Sequence, residues 1–405
     1  LSSDGAMAYL APFIVYAGSL VLHLLLPAAI KDGYACSFET RQPLQYRLNG
    51  LRVLVAFVVF FANYLLLLGP TKGFWGEVFA ANGLGLVISA FYAFRANPDQ
   101  KFFGLRCLTR DTADSKRPPS AKEVEAVKSR GVLARFFFGT EFNPRHHVVA
   151  AAAAAANGAG GSGGVVLDVK MFLYIAGAVN CQVLIVNYAA SDIIAANNTL
   201  RCVVAVPLFC LTWFCLEYLY FEHIHLYTYD LFAERVGFKL CWGCLVFYPY
   251  FYSVPVVAVS GQNLGRDASF SVALFSILLF YLGWILTRGA NYQKYCLKAF
   301  PRQKTCLGGM VKQVTVAGSN GRLLCSGFWR LSRHLNYLGE ILQALAVSLP
   351  SASIGVCWPL LYPLYYVLLF IGREQDDAAI CAAKYGAAWD TYVKTVPWKI
   401  IPYVY

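Results

Sequence analysis

Apolar and polar residues in this chain separate into long blocks instead of alternating. Apolar runs occupy Met7–Leu26, Leu51–Leu68, Phe74–Phe94, Met171–Ala190, Leu200–Tyr220, Val236–Val259 and Ser269–Leu286. Each is close to the roughly 20 residues a helix needs to cross a bilayer core. Two more runs, Tyr337–Leu349 and Ile354–Ile371, are split by Leu349-Pro350 and read as a helical hairpin with a short first arm. Val124–Phe138 adds another span if it tilts or re-enters. The pattern predicts an all-α, polytopic transmembrane protein with about ten spans. Only Asp4 is charged ahead of the first run, which reads as a retained span and not a cleaved leader.

Composition strengthens this reading. Of 405 residues, 58% are hydrophobic and 14% are charged. A soluble domain has about a quarter of its residues charged, so water-soluble folds and a disordered chain are both excluded. The net charge of +12 is read first as membrane topology, with no nucleic-acid partner expected. Lys31–Asn49, Arg95–Arg145 and Arg288–Arg333 each follow an odd-numbered span. Arg95–Arg145 carries eleven Lys or Arg against six acids, and Arg288–Arg333 carries nine with no acid. These loops are therefore expected on the cytoplasmic side. The tract at 150–164, alanines followed by Gly and Ser, reads as a flexible tether that carries no site. We expect a single integral membrane domain over 1–405, with N-terminal spans in 1–120 and the chemistry in 121–405.

Ionisable groups in or beside apolar runs are functional candidates. Glu217, Glu222, His223 and His225 cluster at the end of one run, with Asp230 and Glu234 four residues apart just beyond. The spacing of Glu222, His223, His225 and Asp230 matches no strong metal pattern, and no metal is expected. Tyr218, Tyr220, Tyr227 and Tyr229 fit an aromatic belt at the headgroup boundary. Cys241 and Cys244 have C-x-x-C spacing without a redox-fold context, and the 13 cysteines read mostly as small buried hydrophobes.

The richest constellation lies in the last 120 or so residues. Arg288, Asn291, Gln293 and Lys294 close one span. Arg333, His334 and Asn336 are interleaved with Trp329 and Tyr337. Arg373, Glu374, Asp377, Lys384, Tyr385, Trp389 and Tyr392 follow. Guanidinium groups suit phosphates, aromatic rings sandwich planar groups, and carboxylates accept from ribose hydroxyls. Together they describe a flat, phosphate-bearing cofactor such as a dinucleotide or an S-adenosyl compound. Lipid headgroups are the plainer alternative for the basic residues. No Rossmann fingerprint or P-loop is present, so C-terminal spans and loops must build the pocket.

These motifs carry a resemblance. Gly139-Thr-Glu-Phe-Asn-Pro-Arg145, Leu167-Asp-Val-Lys170, Glu234-Arg-Val-Gly-Phe238, Arg288 with Ala290-Asn291 and Gln293-Lys294, Arg333-His334 with Asn336-Tyr337, and Lys384-Tyr-Gly386 resemble the membrane sterol reductases. That family comprises the delta-14 and delta-7 sterol reductases and the sterol-reductase domain of the lamin B receptor. The resemblance implies a ten-span fold with a cytoplasm-facing NADPH pocket and a sterol drawn from the bilayer lipids. It carries Arg288, Asn291, Lys294, Trp329, Arg333, His334, Asn336, Tyr337, Arg373, Asp377, Lys384 and Tyr385 over as cofactor-side residues. Tyr252, Asp230 and Glu234 become candidate proton donors, with His225 added by proximity. The chain departs from the family's usual pattern at Cys244, Pro255, Gly372, Asp376 and Ala378. The implied reaction protonates a ring double bond of the sterol, preferably the delta-14 bond, and then delivers hydride. Alternatives are a delta-7 reductase, an isoprenylcysteine-type methyltransferase and a non-catalytic sterol-binding scaffold. A bacterial inner membrane or the endoplasmic reticulum is the implied location.

Overall fold

The computed structural model describes residues 3–37, 40–70, 73–95, 131–148, 165–232, 234–261, 266–318 and 321–405. Most of the Arg95–Arg145 loop, the start of the Val124–Phe138 run, the expected division at 120 and the tract at 150–164 lie outside the described residues. Among those described, seven helices are long and apolar enough to cross a membrane. They are α1 (Ser3–Leu25), α2 (Gly50–Leu68), α3 (Phe74–Phe94), α4 (Val169–Ala195), α5 (Cys202–Tyr220), α6 (Phe238–Val257) and α7 (Phe270–Ala299). The protein is thus an all-α integral membrane protein. Helices α8 (Leu335–Ser353), α9 (Leu361–Tyr385) and α10 (Ala387–Thr395) complete the helical set discussed below. The expected break at Leu349-Pro350 does not end a helix, because α8 runs through Pro350 to Ser353. Around the proline, the Ser351 and Ser353 hydroxyls donate to the Ser348 and Pro350 carbonyls at 2.9 and 2.7 Å.

Three connections that read as plain polar loops contain, among the described residues, four two-stranded antiparallel ladders. These are Ala29–Cys36 with Pro43–Leu48, Arg145–Val148 with Val165–Asp168, Thr305–Cys306 with Val311–Lys312, and Thr315–Gly318 with Gly321–Leu324.

The chain divides into two compact units, Leu1–Ile194 with Leu211–Val257 and Ala195–Cys210 with Ala258–Tyr405. In the first unit, α4 is the central helix. The burial of its apolar window is 83%, against 22% for α2. A largely apolar sequence suits that position, with its buried polar side chains such as Lys170, Asn180 and Gln182 hydrogen-bonded, and Ala176, Gly177 and Ala178 let α6 approach closely. A Cβ on Gly177 would collide with the Cys244 carbonyl and lie 2.9 Å from the Tyr248 ring. Helix α6 accommodates this neighbour with a π-helical stretch over Gly243–Phe251, which contains Pro249. The end of α1 is closed by the residues just before α2. Arg47 Nε donates to the His23 carbonyl at 2.9 Å, and Asn49 Nδ2 donates to the His23 and Leu26 carbonyls at 3.1 and 3.0 Å. Helix-end carbonyls have no intrahelical donors, so these side chains satisfy them where water is scarce.

In the second unit, α7 and α8 cross with backbone almost touching backbone. A Cβ on Gly283 would lie 2.6 Å from the Gly339 carbonyl oxygen. Thr287 Oγ1, one turn along, donates to the Asn336 carbonyl at 3.0 Å. The crossing therefore fixes the end of α7 beside the start of α8, where the basic residues are concentrated.

Candidate functional site

The site in the second unit is built on that crossing. Gln293 is fully buried and clamps the turn before α8. Its Nε2 donates to the Ser326 carbonyl at 2.9 Å, and its Oε1 accepts from the Phe328 amide at 3.1 Å. Gly327 takes φ +59° there, and a Cβ would press on Val311 and Gln293. The turn delivers Trp329, whose indole donates to the Ala290 carbonyl at 2.9 Å while the Lys294 ammonium lies 5.6 Å from its ring centroid. Arg288 is buried nearby on α7, and Asn291 is half-buried on the same helix.

Arg333 is 6% exposed. Its backbone N–H donates to the Trp398 carbonyl and that of His334 to the Lys399 carbonyl, both at 2.9 Å. The guanidinium lies 3.9 Å from Glu374 and 5.7 Å from the Trp389 ring centroid. Its Nε and Nη1 have no hydrogen-bond partner among the described residues, and neither does Asn336 Oδ1. Glu374 also pairs with Lys399 at 3.3 Å and lies 3.5 Å from the Tyr405 hydroxyl. Burial, then the charges of Lys294 and Arg333, push the His334 imidazole down to about 3. It is neutral at working pH and marks a region of positive potential.

Tyr337 is already sandwiched. His334 stacks on one face at 4.7 Å and Phe370 on the other at 4.4 Å, and the Tyr337 hydroxyl donates to Asp377 Oδ2 at 2.8 Å. Tyr385 packs with Trp389, Tyr392 and Val396, and the Lys384 ammonium lies over the Tyr385 ring at 4.8 Å. Arg373 is half-buried on α9, and Asp376 is exposed.

The first unit holds the other candidates. Lys170 is fully buried, and its ammonium donates to the carbonyls of Leu231, Asp230 and Glu234 at 2.9, 3.5 and 2.5 Å. Asp230 and Glu234 thus meet through their backbone oxygens. The Glu234 carboxylate pairs with Lys239 at 2.5 Å. Arg145 and Asp168, separated by a long connection, face each other across a ladder with a 3.3 Å ion pair. Tyr252 packs against Tyr248 at 4.8 Å, Phe214 at 6.0 Å and Phe247 at 6.4 Å.

Comparison with known proteins places these residues in context. The chain matches the ergosterol biosynthesis ERG4/ERG24 family over residues 6–405. The chain belongs to the ergosterol biosynthesis ERG4/ERG24 family. It is 28% identical over 383 residues to the "Delta(14)-sterol reductase" of Arabidopsis thaliana, covering 94% of this chain and 91% of that protein. It is 28% identical over 407 residues to that of Ascobolus immersus, covering 98% and 85% respectively. It is also 38% identical over 190 residues to "Delta(14)-sterol reductase TM7SF2" of Mus musculus, covering 46% and 43%.

Within this ERG4/ERG24 chain, the structure brings Arg288, Lys294, Trp329, Arg333, His334, Asn336, Tyr337 and Asp377 into the second unit, around the α7–α8 crossing and the facing part of α9. Asp230, Glu234 and Tyr252 belong to the first unit. The cofactor-side residues expected from sequence do not include Glu374, Lys399, Gln293 or Thr287. Gln293 and Glu374 stand in the C-terminal constellation, but only packing reveals that one clamps a turn and the other anchors an arginine.

Proposed function

We propose that this protein is an NADPH-dependent sterol reductase that acts on the delta-14 double bond. The match of residues 6–405 to a sterol-biosynthesis family, with relatives named for that activity in a plant, a fungus and a mouse, carries this reading. The cofactor-side residues fit a polyphosphate. Arg333 offers two unpartnered, buried N–H groups, Lys294 and Arg288 add positive charge, and the exposed Asp376 lies away from the buried set. In this reading Arg288, Asn291, Lys294, Trp329, Arg333, His334, Asn336, Tyr337, Arg373, Asp377, Lys384 and Tyr385 hold NADPH, which supplies a hydride when bound. Tyr337 acts by positioning, since both its faces are occupied and its hydroxyl holds Asp377.

An isolated alkene does not accept hydride, so protonation comes first and leaves a carbocation. We assign that proton to Tyr252, with Asp230 and Glu234 as the other candidates. The Glu234 carboxylate is occupied by its ion pair with Lys239, which leaves it less available to a sterol. The aromatic rings around Tyr252 exclude water and stabilise a cation through their faces. We take 1–405 as one functional domain with about ten spans, counting α8 and α9, in a bacterial inner membrane or the endoplasmic reticulum. The basic loops support a cytoplasmic cofactor side.

The test is direct. Purified protein in detergent is incubated with a delta-14 sterol and NADPH deuterated at the transferred position, and the product is read by mass spectrometry. The reading expects a reduced sterol carrying one deuterium. An unchanged delta-14 sterol beside a reduced delta-7 sterol would shift the assignment to that bond, and no reduction of either would overturn it.

A further inference from the structure

One cluster in the first unit is not used by the chemistry above. Glu222 and His225 follow α5 directly and are both buried. The two Glu222 carboxylate oxygens accept from the Gly50 amide at 3.2 and 3.1 Å, at the start of α2. His225 lies on Tyr218, with ring centroids 3.9 Å apart. Glu222, His225, Tyr218 and Tyr174 line a cavity of about 10 Å³. Its walls are almost wholly apolar, so the cavity is a dry gap that Glu222 and His225 both border. Burial raises the Glu222 carboxyl to about 8, against the opposing Gly50 N–H, so Glu222 carries its proton at neutral pH.

From this cluster a file of phenols leads along α5 and α6. Tyr218 lies 6.5 Å from Tyr248, and Tyr248 lies 4.8 Å from Tyr252, both between ring centroids. Tyr248 is buried, and the Cys215 thiol lies 3.8 Å from its hydroxyl. Tyr248 and Tyr252 are four residues apart at the end of the π-helical stretch of α6, and their rings meet edge to face. Around the file the walls are aromatic or aliphatic: Phe214 packs on Tyr218, Tyr248 and Tyr252 at 6.1, 6.1 and 6.0 Å.

We propose that Glu222, His225, Tyr218 and Tyr248 form a relay that returns a proton to Tyr252 after each turnover. The proposal rests on the sterol-reductase reading and deepens it. In each cycle the Tyr252 O–H bond breaks as a C–H bond forms on the sterol, leaving a phenolate. Tyr248 then gives its hydroxyl proton to Tyr252 and takes one from Tyr218. Tyr218 takes one from His225, and His225 takes one from Glu222, which borders the same cavity. Glu222 recovers its proton from water, so the relay ends as it began and one solvent proton has entered. Glu222, His225, Tyr218 and Tyr248 act through Tyr252 and do not themselves touch the sterol.

The test uses the full-length protein and separates proton supply from structure. His225→Phe keeps a ring on Tyr218 but cannot carry a proton. Glu222→Gln keeps an oxygen for the Gly50 amide but cannot titrate. His225→Ala opens room for added imidazole. The relay expects kcat to fall at least ~10-fold in H225F and E222Q, within the range of general acid–base effects, while KM for sterol and NADPH stays constant. Imidazole should restore H225A and leave Tyr252→Phe inactive. Wild-type kcat in H225F would overturn the relay, as would a restored Y252F or a KM that rises in step with the loss of kcat. Wild type is assayed alongside: if it reduces no sterol, the reductase reading itself fails, whereas active wild type with fully active H225F removes the relay alone.

Discussion

Replacing Arg333 with alanine tests the cofactor site most sharply. The side chain is 6% exposed, and its Nε and Nη1 have no hydrogen-bond partner among the described residues. The remaining nitrogen, Nη2, reaches Glu374 at only 3.9 Å. A phosphate would therefore receive two charge-assisted hydrogen bonds, each worth about 1.5–3 kcal/mol. Taking the lower figure, because Glu374 already offsets part of the charge, R333A should lose about 3 kcal/mol of NADPH binding. That corresponds to roughly a 100-fold rise in Kd. Arg333→Lys retains the charge without the fork and should fall between wild type and R333A. Calorimetric titration of NADPH into detergent-solubilised protein measures the effect. Thermal unfolding runs in parallel, since Glu374 retains Lys399 at 3.3 Å and the fold should survive. An R333A protein that melts normally and binds NADPH within about threefold of wild type would refute the assignment.

Three further outcomes follow from packing and charge. Gly339→Ala pushes a methyl into the Gly283 carbonyl and Thr287, so it should cost about 1–3 kcal/mol and lower the unfolding midpoint; an unchanged midpoint would contradict the close crossing of α7 and α8. Lys170→Met leaves the Leu231, Asp230 and Glu234 carbonyls without their ammonium donor, and a loss of about 1–3 kcal/mol or more is expected in thermal or denaturant unfolding. His334 is held down to about 3 when folded, so below its ordinary 6.5 the unfolded chain binds a proton that the native state refuses. Stability should therefore fall as pH drops from 6.5 towards 3, and His334→Gln should flatten that slope between about pH 7 and about pH 5 in melting curves.

The spans were legible because a bilayer demands length and apolarity, which a sequence displays directly. Each of the seven long runs from Met7–Leu26 to Ser269–Leu286 coincides with a membrane-length helix. Less legible was anything set by packing between distant segments. Leu349-Pro350 looked like a break, yet α8 continues past it to Ser353, with Ser351 and Ser353 hydroxyls bonded to carbonyls of the same last turn. The Lys31–Asn49 stretch looked like a polar loop, yet it forms a hairpin that buries Tyr34 and Tyr46 and sends Arg47 and Asn49 to the end of α1. Its strands carry too little alternation to announce themselves. In the site, residue type pointed to Arg333, Lys294 and Trp329. It did not reveal that Tyr337 is occupied on both faces, or that the oxygens of Asp230 and Glu234 facing Lys170 belong to the backbone.

The pairing of Arg333 and His334 with Trp398 and Lys399 also dictates when this protein becomes competent. Translation proceeds from the N-terminus, so every helix from α1 to α10 leaves the ribosome before the segment that holds the key arginine in place. A nascent chain already threaded into the bilayer would hold Arg333 and His334 without these backbone partners until Lys399 emerges. Half-made copies would thus sit in the membrane with their spans formed and this arginine unanchored, and a stop ahead of Trp398 would make that state permanent.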